Sequence, residues 1–403
     1  MLKVLIADKF EKRGIDELVE AGFDVAYEPD VKGDSLREAL VRSQAIVLIV
    51  RGTQVTADML EGSPHLGLIV RAGAGFNTID VAAASRRGIL ISNCPGKNAV
   101  AVAELTFGLI LALDRRIVEN VQDLRGGRWN KKEYSTAKGL KDRVIGIVGM
   151  GTIGQAVARR ARAFEMEVIA WSRSLTPHKA AEYWVQRAES LEELVAACDI
   201  LTIHVAAAKE TKNLISAGVL SRLRPGSYVI NTARADVMDY KALAELIASR
   251  SIRVGLDVFP DEPSGGQEEF LPAIVNAGGV VYGTHHIGAS TDQAQDAIAE
   301  ETVRIVKAFK ATGQAPNVVN IETRSPAECQ LIVRHYDKVG VLATVLDKLR
   351  RADINVEEMS NTVFQGAKAA VAVIRLAQQP PDAVVKDIAA MPDMIINVEV
   401  KPV

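Results

Sequence analysis

Residues 144–154, V-I-G-I-V-G-M-G-T-I-G, narrow the possible folds more than any other stretch of the chain. Val144, Ile145, Ile147 and Val148 form a short apolar, β-branched run. Gly149, Gly151 and Gly154 follow at the G-x-G-x-x-G spacing, ahead of a helical pattern from Ile153 to about Phe164. The order is strand, tight turn, helix. The first glycine allows the sharp turn, the second lets a pyrophosphate approach the backbone, and the third lets the helix pack closely on the strand. Phosphates then meet free N–H groups and the positive end of the dipole at the helix N-terminus. Dinucleotide binding is the predicted function of this stretch, with Gly149, Gly151, Thr152, Ile153 and Gly154 as its contacts.

A chain of 403 residues exceeds one typical core, so two or three domains are expected. Before the fingerprint, short apolar runs at 4–6, 25–27, 46–50, 68–70 and 89–91 alternate with amphipathic stretches such as 35–42 and 81–87. After it, runs at 168–171, 200–205, 228–230, 254–258 and 280–282 alternate with helical stretches at 191–197, 217–223 and 240–248. Alternation of this kind builds parallel βαβ units. The expected fold class is α/β, with a doubly wound Rossmann-type nucleotide lobe preceded by a flavodoxin-like lobe that has no phosphate fingerprint of its own. A long helix over 99–113 is expected to cross from one lobe to the other. Asn98 stands just ahead of it, where capping alone could account for the residue.

Open α/β sheets bind ligands beyond the carboxyl ends of their strands, so residues just past those ends are candidates. Arg51 follows the run 46–50 and offers a fork suited to carboxylate or phosphate. Arg71-Ala72-Gly73-Ala74-Gly75 follows the run 68–70 and offers backbone N–H groups to an anion. An Asp or Glu about twenty residues past the glycines would bind the ribose 2′-hydroxyl of NAD. This chain has Ser172-Arg173-Ser174 there. With no carboxylate and a cation alongside, a 2′-phosphate is not repelled, which leans toward NADP over NAD.

Arg234, Asp257, Glu262 and His286 all lie at or beyond strand ends on one edge of the nucleotide sheet. A cation, a carboxylate and a histidine beside a nicotinamide suit hydride transfer from an alcohol. Imidazole takes the hydroxyl proton, the carboxylate orients it and stabilises its cation, and the arginine fixes the substrate's carboxylate or carbonyl oxygen. His285 and His286 are adjacent and point to opposite faces of an extended segment, so only one can serve. His204, at a strand end, reads as a hydrogen-bonded core residue rather than an acid or base.

The formal net charge of −2 gives no electrostatic reason to expect nucleic acid or an anionic membrane as partner. Cys94, Cys198 and Cys329 are far apart and fit neither a disulfide framework nor a zinc spacing, so no metal and a reducing compartment are expected. The apolar run at the start is too short for a signal peptide. The stretch 99–113 contains Glu104 and Thr106 and is shorter than a membrane span. A cytoplasmic protein is the expectation.

Over nearly its whole length the sequence resembles the D-isomer-specific 2-hydroxyacid dehydrogenases. The matching runs include Val50-Arg51-Gly52, the Arg71 to Gly75 loop, Ala103-Glu104-Leu105-Thr106 and the glycine fingerprint. Further matches are Asn231-Thr232-Ala233-Arg234, Leu256-Asp257-Val258-Phe259 with Glu262-Pro263, and His286-Ile287-Gly288-Ala289-Ser290-Thr291. The resemblance implies a catalytic Arg234, Glu262 and His286, with Asp257 near the nicotinamide amide. It implies further cofactor contacts at Ser172, Arg173, His204, Thr232 and Ala233, and substrate contacts from Arg51, Asn98 and the backbone of Ala72-Gly73. His286 is favoured over His285 because the family's histidine stands two residues before the glycine matched by Gly288.

The likeness is greatest to members that oxidise 3-phospho-D-glycerate. NADPH-dependent reductases of glyoxylate or hydroxypyruvate, and dinucleotide-sensing interaction proteins with vestigial chemistry, are the alternatives. The chain departs from the family pattern at Gly52, Asn77-Thr78, Ala206-Ala207-Ala208, Ala235-Asp236 and His285.

Residues 316–326 read as a polar, proline-flanked linker. Beyond it, the runs 330–333, 341–349, 354–358, 369–376, 383–389 and 395–400 give strand, helix, strand, strand, helix, strand, a ferredoxin-like βαββαβ order. With His335-Tyr336-Asp337-Lys338-Val339-Gly340 at its first turn, this module resembles an ACT regulatory domain. His335, Asp337 and Asn355 match, by position, residues that bind L-serine in such domains. The expected organisation is a substrate lobe from 1–98 and 289–315, joined by a return helix at 291–310, a nucleotide domain at 99–288, a linker at 316–327 and an ACT-like domain at 328–403. Its expected partners are a small 2-hydroxy acid and a second copy of the chain, as homodimer or homotetramer.

Overall fold

In the computed structural model, which describes residues 1–263, 267–322 and 325–403, the first five apolar runs pair as parallel strands. They are β1 (Leu2–Ile6), β2 (Phe23–Tyr27), β3 (Val47–Val50), β4 (Leu68–Arg71) and β5 (Leu90–Asn93). The order across the sheet is β2-β1-β3-β4-β5, the flavodoxin-like arrangement. Strands covered on both faces read as unbroken apolar runs, and all four residues of β3 are buried.

The second sheet holds β6 (Val144–Val148), β7 (Glu167–Trp171), β8 (Gln186–Arg187), β9 (Ile200–Ile203), β10 (Tyr228–Asn231), β11 (Arg253–Leu256) and β12 (Val281–Gly283). Its order is β12-β11-β10-β9-β6-β7-β8, with every neighbouring pair parallel. The chain builds outward from β6 in one direction, then returns to β9 and builds in the other. The resulting switch point, at the carboxyl ends of β6 and β9, is where such sheets leave a ligand crevice.

The helix Ala99–Arg115 joins the sheets and buries Val102, Ala103, Phe107, Ile110 and Leu113. The return helix Asp292–Thr312 is capped by the Thr291 hydroxyl, which accepts the Ala294 N–H, and ends at Gly313 with φ of 73°. Glu301 on this helix accepts from Arg304 and Asn317 and pairs with Lys97 at 3.4 Å, tying the two interlobe crossings together. The Arg304 hydrogen bond leads in holding this carboxyl down to about 2, against burial. The tie is therefore complete above the usual value of 4.5 and is lost as pH falls toward 2.

The linker expected from 316 starts later. Val319 N–H donates to Ile91 O at 2.8 Å, Asn320 Oδ1 accepts Ile91 N–H at 2.8 Å, and Asn317 Nδ2 donates to Asn93 O at 3.2 Å. These asparagines serve as edge partners of β5, and the first compact unit runs Met1–Asn320. Residues 323 and 324 of the expected linker lie outside the described residues.

The second unit, Ile321–Val403, is an antiparallel sheet of β13 (Cys329–Tyr336), β14 (Val356–Val363), β15 (Ala369–Leu376) and β16 (Ile395–Pro402), in the order β14-β15-β13-β16. Leu331, Val333 and Ile374 pack with Val345 and Leu349 of helix Val341–Arg351 and Ile388 of helix Asp382–Ala389. Burial alternates along β13 and β15 as a one-sided sheet requires, which gives the ferredoxin-like fold. Among the described residues, no helix is long and apolar enough to cross a membrane.

Candidate active site

The glycine fingerprint leaves β6 and enters the helix Thr152–Ala163. Gly149 has φ of 96°, and a Cβ there would fall 2.5 Å from the His204 carbonyl oxygen. A Cβ on Gly154 would fall 2.0 Å from the Gly149 oxygen. At Gly151 a Cβ would meet nothing within 4 Å, so the second glycine opens onto free space. No side chain caps the helix, and its first-turn N–H groups are open to an anion. These features fit a dinucleotide pyrophosphate. Thr152 is exposed and Ile153 half-buried on the same turn.

At the end of β7, Ser172 is half-buried, while Arg173 is exposed and makes no ion pair to another described residue. His204 is buried, with Thr202 Oγ1 at 2.8 Å from its Nε2. Burial pushes its imidazole down to about 3, so it stays neutral and is no proton carrier near pH 7. Its main chain borders the fingerprint. Thr232 and Thr106 place their hydroxyls 3.2 Å apart, fastening the crossover helix to the end of β10 beside buried Ala233.

Three strand-end loops of the nucleotide sheet bring Arg234, Glu262 and His286 together. His286 Nδ1 donates to Glu262 Oε2 at 2.6 Å, which leaves Nε2 with its lone pair. Glu262 Oε1 accepts the Phe259 N–H at 2.6 Å. Burial alone would raise the Glu262 carboxyl, but the hydrogen bonds from His286 and Phe259 and the charge of Arg234 hold it below its usual value. Burial also lowers the Arg234 guanidinium, opposed by Glu262, Asp236 and Asp257. His285 is exposed and joins none of this.

His286 has φ of 53°, a strained conformation for a residue with a Cβ. Asp257 holds it there. Its buried carboxylate accepts Thr284 Oγ1 at 2.6 Å, Ile287 N–H at 2.9 Å and Gly288 N–H at 2.8 Å, clamping the loop on both sides of the histidine. Asp257→Ala leaves those donors unmet and should cost about 2–4 kcal/mol. Thermal melting with parallel rate measurements would show a lower midpoint and a lower turnover.

The facing edge of the first sheet supplies cations. Asp8 accepts the N–H groups of Arg51, Gly52 and Thr53 at 2.6, 3.0 and 3.0 Å, fixing the loop after β3 so that the Arg51 side chain is presented. Arg71, at the end of β4, is held down to about 10, first by burial and then by Arg234 and Arg51. Its Nε is buried and has no hydrogen-bond partner among the described residues. A Cβ on Gly75 would fall 2.4 Å from an Arg234 Nη2, so the glycine loop and Arg234 touch.

One expected backbone contact is corrected. The Ala72 N–H already donates to Val50 O at 2.7 Å and the Gly73 N–H to Arg71 O at 2.8 Å, so neither is free for a substrate. The open amides of this loop, among the described residues, are those of Ala74, Gly75 and Phe76. Asn98 makes no side-chain capping bond, which leaves its amide available for a ligand. Sequence alone singles out the Arg71 loop for its backbone only and does not single out Asp8 as a candidate. Arg71 ends β4 and Asp8 stands two residues past β1, so the strand-end rule had the signal for both.

In the second unit, His335 is buried, with Nδ1 donating to Tyr336 O at 2.8 Å and Nε2 3.1 Å from the Asn361 side-chain amide. Asp337 is exposed nearby. Asn355 does not join them within one chain. It precedes Val356, which is level with Leu376 and Cys329, whereas His335 is level with Ala370 and Val363 at the other end of the sheet.

Residues 107–288 match the family described as D-isomer specific 2-hydroxyacid dehydrogenase, NAD binding domain. The glyoxylate reductase of Thermococcus litoralis is 34% identical over 337 residues, 80% of this chain and 99% of its own. The D-3-phosphoglycerate dehydrogenase of Methanocaldococcus jannaschii is 34% identical over 323 residues, 80% of this chain; this chain spans 60% of that relative's length. Among solved structures, the TT0316 protein of Thermus thermophilus superposes with a TM-score of 0.69 at 30% identity, over 79% of this chain and 100% of its own. The chain belongs to the D-isomer specific 2-hydroxyacid dehydrogenase family, and its nucleotide sheet is the family's NAD-binding domain.

Proposed function

We propose that this chain is a D-3-phosphoglycerate dehydrogenase, oxidising 3-phospho-D-glycerate to 3-phosphohydroxypyruvate with NAD(P) as hydride acceptor. The observation that carries the reading is Arg71, whose buried Nε has no hydrogen-bond partner among the described residues and whose charge is opposed by Arg234 and Arg51. Like charges this close favour a ligand with more than one anionic group. A phosphorylated 2-hydroxy acid has two, one at each end.

Bound at the crevice, the nicotinamide supplies the hydride acceptor. The chain does the rest. His286 Nε2 takes the hydroxyl proton while Glu262 stabilises the imidazolium on the opposite nitrogen. Arg234 orients the carboxylate and polarises the carbonyl oxygen in the reverse direction. Arg71 and Arg51 hold the distal anion. The absence of a carboxylate at Ser172 and the exposed Arg173 favour NADP over NAD.

The same feature at Ser172-Arg173 favours a second reading, an NADPH-dependent glyoxylate or hydroxypyruvate reductase, whose substrates carry one anionic group. Arg71→Leu separates the two. Loss of one charge-assisted hydrogen bond should raise KM for the phosphorylated substrate about 10- to 100-fold while KM for glyoxylate changes little. Equal changes for both substrates would favour the reductase. The three free cysteines support a cytoplasmic setting. Self-association, and an L-serine effector at the β13 end near Asp337, belong to the same proposal, and rate measurements with and without L-serine test the effector.

A further inference from the structure

Tyr240 begins the helix Tyr240–Arg250, and its hydroxyl lies between the loops that carry Arg234 and Glu262. It donates to the Val258 carbonyl at 2.6 Å and accepts from Asn231 Nδ2 at 3.4 Å. The same Asn231 nitrogen donates to Arg234 O at 3.0 Å, and Asn231 Oδ1 accepts the Ala233 N–H at 3.0 Å. The Val258 carbonyl and the Phe259 N–H belong to one peptide plane, and that N–H is the one that donates to Glu262 Oε1. Tyr240, this peptide, Glu262 and His286 thus form one unbroken chain of hydrogen bonds.

We propose that Tyr240 is a positioning residue for the acid–base pair. Through the peptide between Val258 and Phe259 its hydroxyl sets where the Glu262 carboxylate stands and how firmly it is held. Through Asn231 the same hydroxyl fixes the spacing between Arg234 and that pair. A hydrogen bond accepted by a carbonyl draws electron density across the amide and strengthens the N–H of the same peptide as a donor. Without the Tyr240 hydroxyl the Val258 carbonyl loses its partner, the plane is free to rotate, and the Phe259 N–H becomes the weaker donor.

The charged groups facing Glu262 are Arg234 and His286. Asp236 and Asp257 face Arg234. Burial raises the Tyr240 phenol, which keeps the donor protonated wherever the carboxylate titrates. The catalytic consequence rests on the function proposed above; the effect on the carboxylate does not.

Tyr240→Phe in the full chain, with isotope-labelled glutamate carboxyls, tests the proposal by NMR titration. The Glu262 signal is identified by its loss in Glu262→Gln. The expected Glu262 midpoint is higher than in the native chain. The expected kcat is about fivefold lower, the effect of one ordinary hydrogen bond, with KM for the cofactor unchanged. An unchanged midpoint overturns the proposal, whatever happens to kcat. Absence of turnover on any 2-hydroxy acid would instead end the proposed function and leave the titration decisive for Tyr240. Tyr240→Met, similar in bulk and lacking the hydroxyl, gives the same readout should the phenylalanine variant fail to fold.

Discussion

Replacing His286 by alanine is expected to lower turnover by about two to four orders of magnitude, the usual contribution of a general base, while the dissociation constant for NAD(P)H stays the same. The imidazole is about half exposed, so its removal opens no cavity in the core. On the proposed function, what disappears is the proton acceptor, an imidazole whose Nδ1 is committed to Glu262 and whose backbone is held in a left-handed conformation by the Asp257 clamp. His285→Ala should leave the rate close to native, because that neighbour is outside the network. The pH dependence follows from the lowered Glu262 carboxyl. The stability that ionised Glu262 contributes is fully present above the usual carboxyl value of 4.5 and is lost as pH falls through the lower native value. Steady-state rates across pH for native, His286→Ala and His285→Ala chains provide the check.

Gly154→Ala is expected to weaken dinucleotide binding about a hundredfold or more, the worth of two hydrogen bonds to an anion. The added Cβ would meet the Gly149 carbonyl oxygen at 2.0 Å, and neither is the end of a flexible side chain. The helix must move off β6, carrying its first-turn N–H groups away from the pyrophosphate. Overpacking of this kind also costs about 1–3 kcal/mol of stability. Gly151→Ala is the control, because its Cβ points into open space: the fold keeps its stability and only the cofactor is displaced. Fluorescence titration with NADPH and thermal melting of both variants distinguish the two effects. Equal melting losses would contradict this assignment of the two glycines.

The parts of the molecule legible in sequence are those whose signal is local. Short β-branched runs marked the strands, and chemistry-bearing residues just past them marked Arg234, Glu262 and His286. Edges were less exact: the crossover helix ends at Arg115 where 113 was expected, and the helix expected over 217–223 stops at Leu220. Features made by distant partners left little trace. β8 is two polar residues that become a strand only by pairing with Ile169 and Ala170. Residues Asn317 and Asn320 look like linker until β5 lies beside them. The Ala72 and Gly73 amides look available until Val50 O and Arg71 O are seen to occupy them. The distance between Asn355 and His335 depends on strand direction, which no run of residues reports.

On the proposed function, this crevice joins a nicotinamide to a 2-hydroxy acid bearing a second anionic group. Following the near-ultraviolet absorbance of the reduced nicotinamide, with NAD and NADP each paired with a panel of 2-hydroxy and 2-keto acids, tests it most directly. The highest kcat/KM is expected for 3-phospho-D-glycerate and 3-phosphohydroxypyruvate. Tight NAD(P)H binding without turnover of any acid in the panel would contradict it.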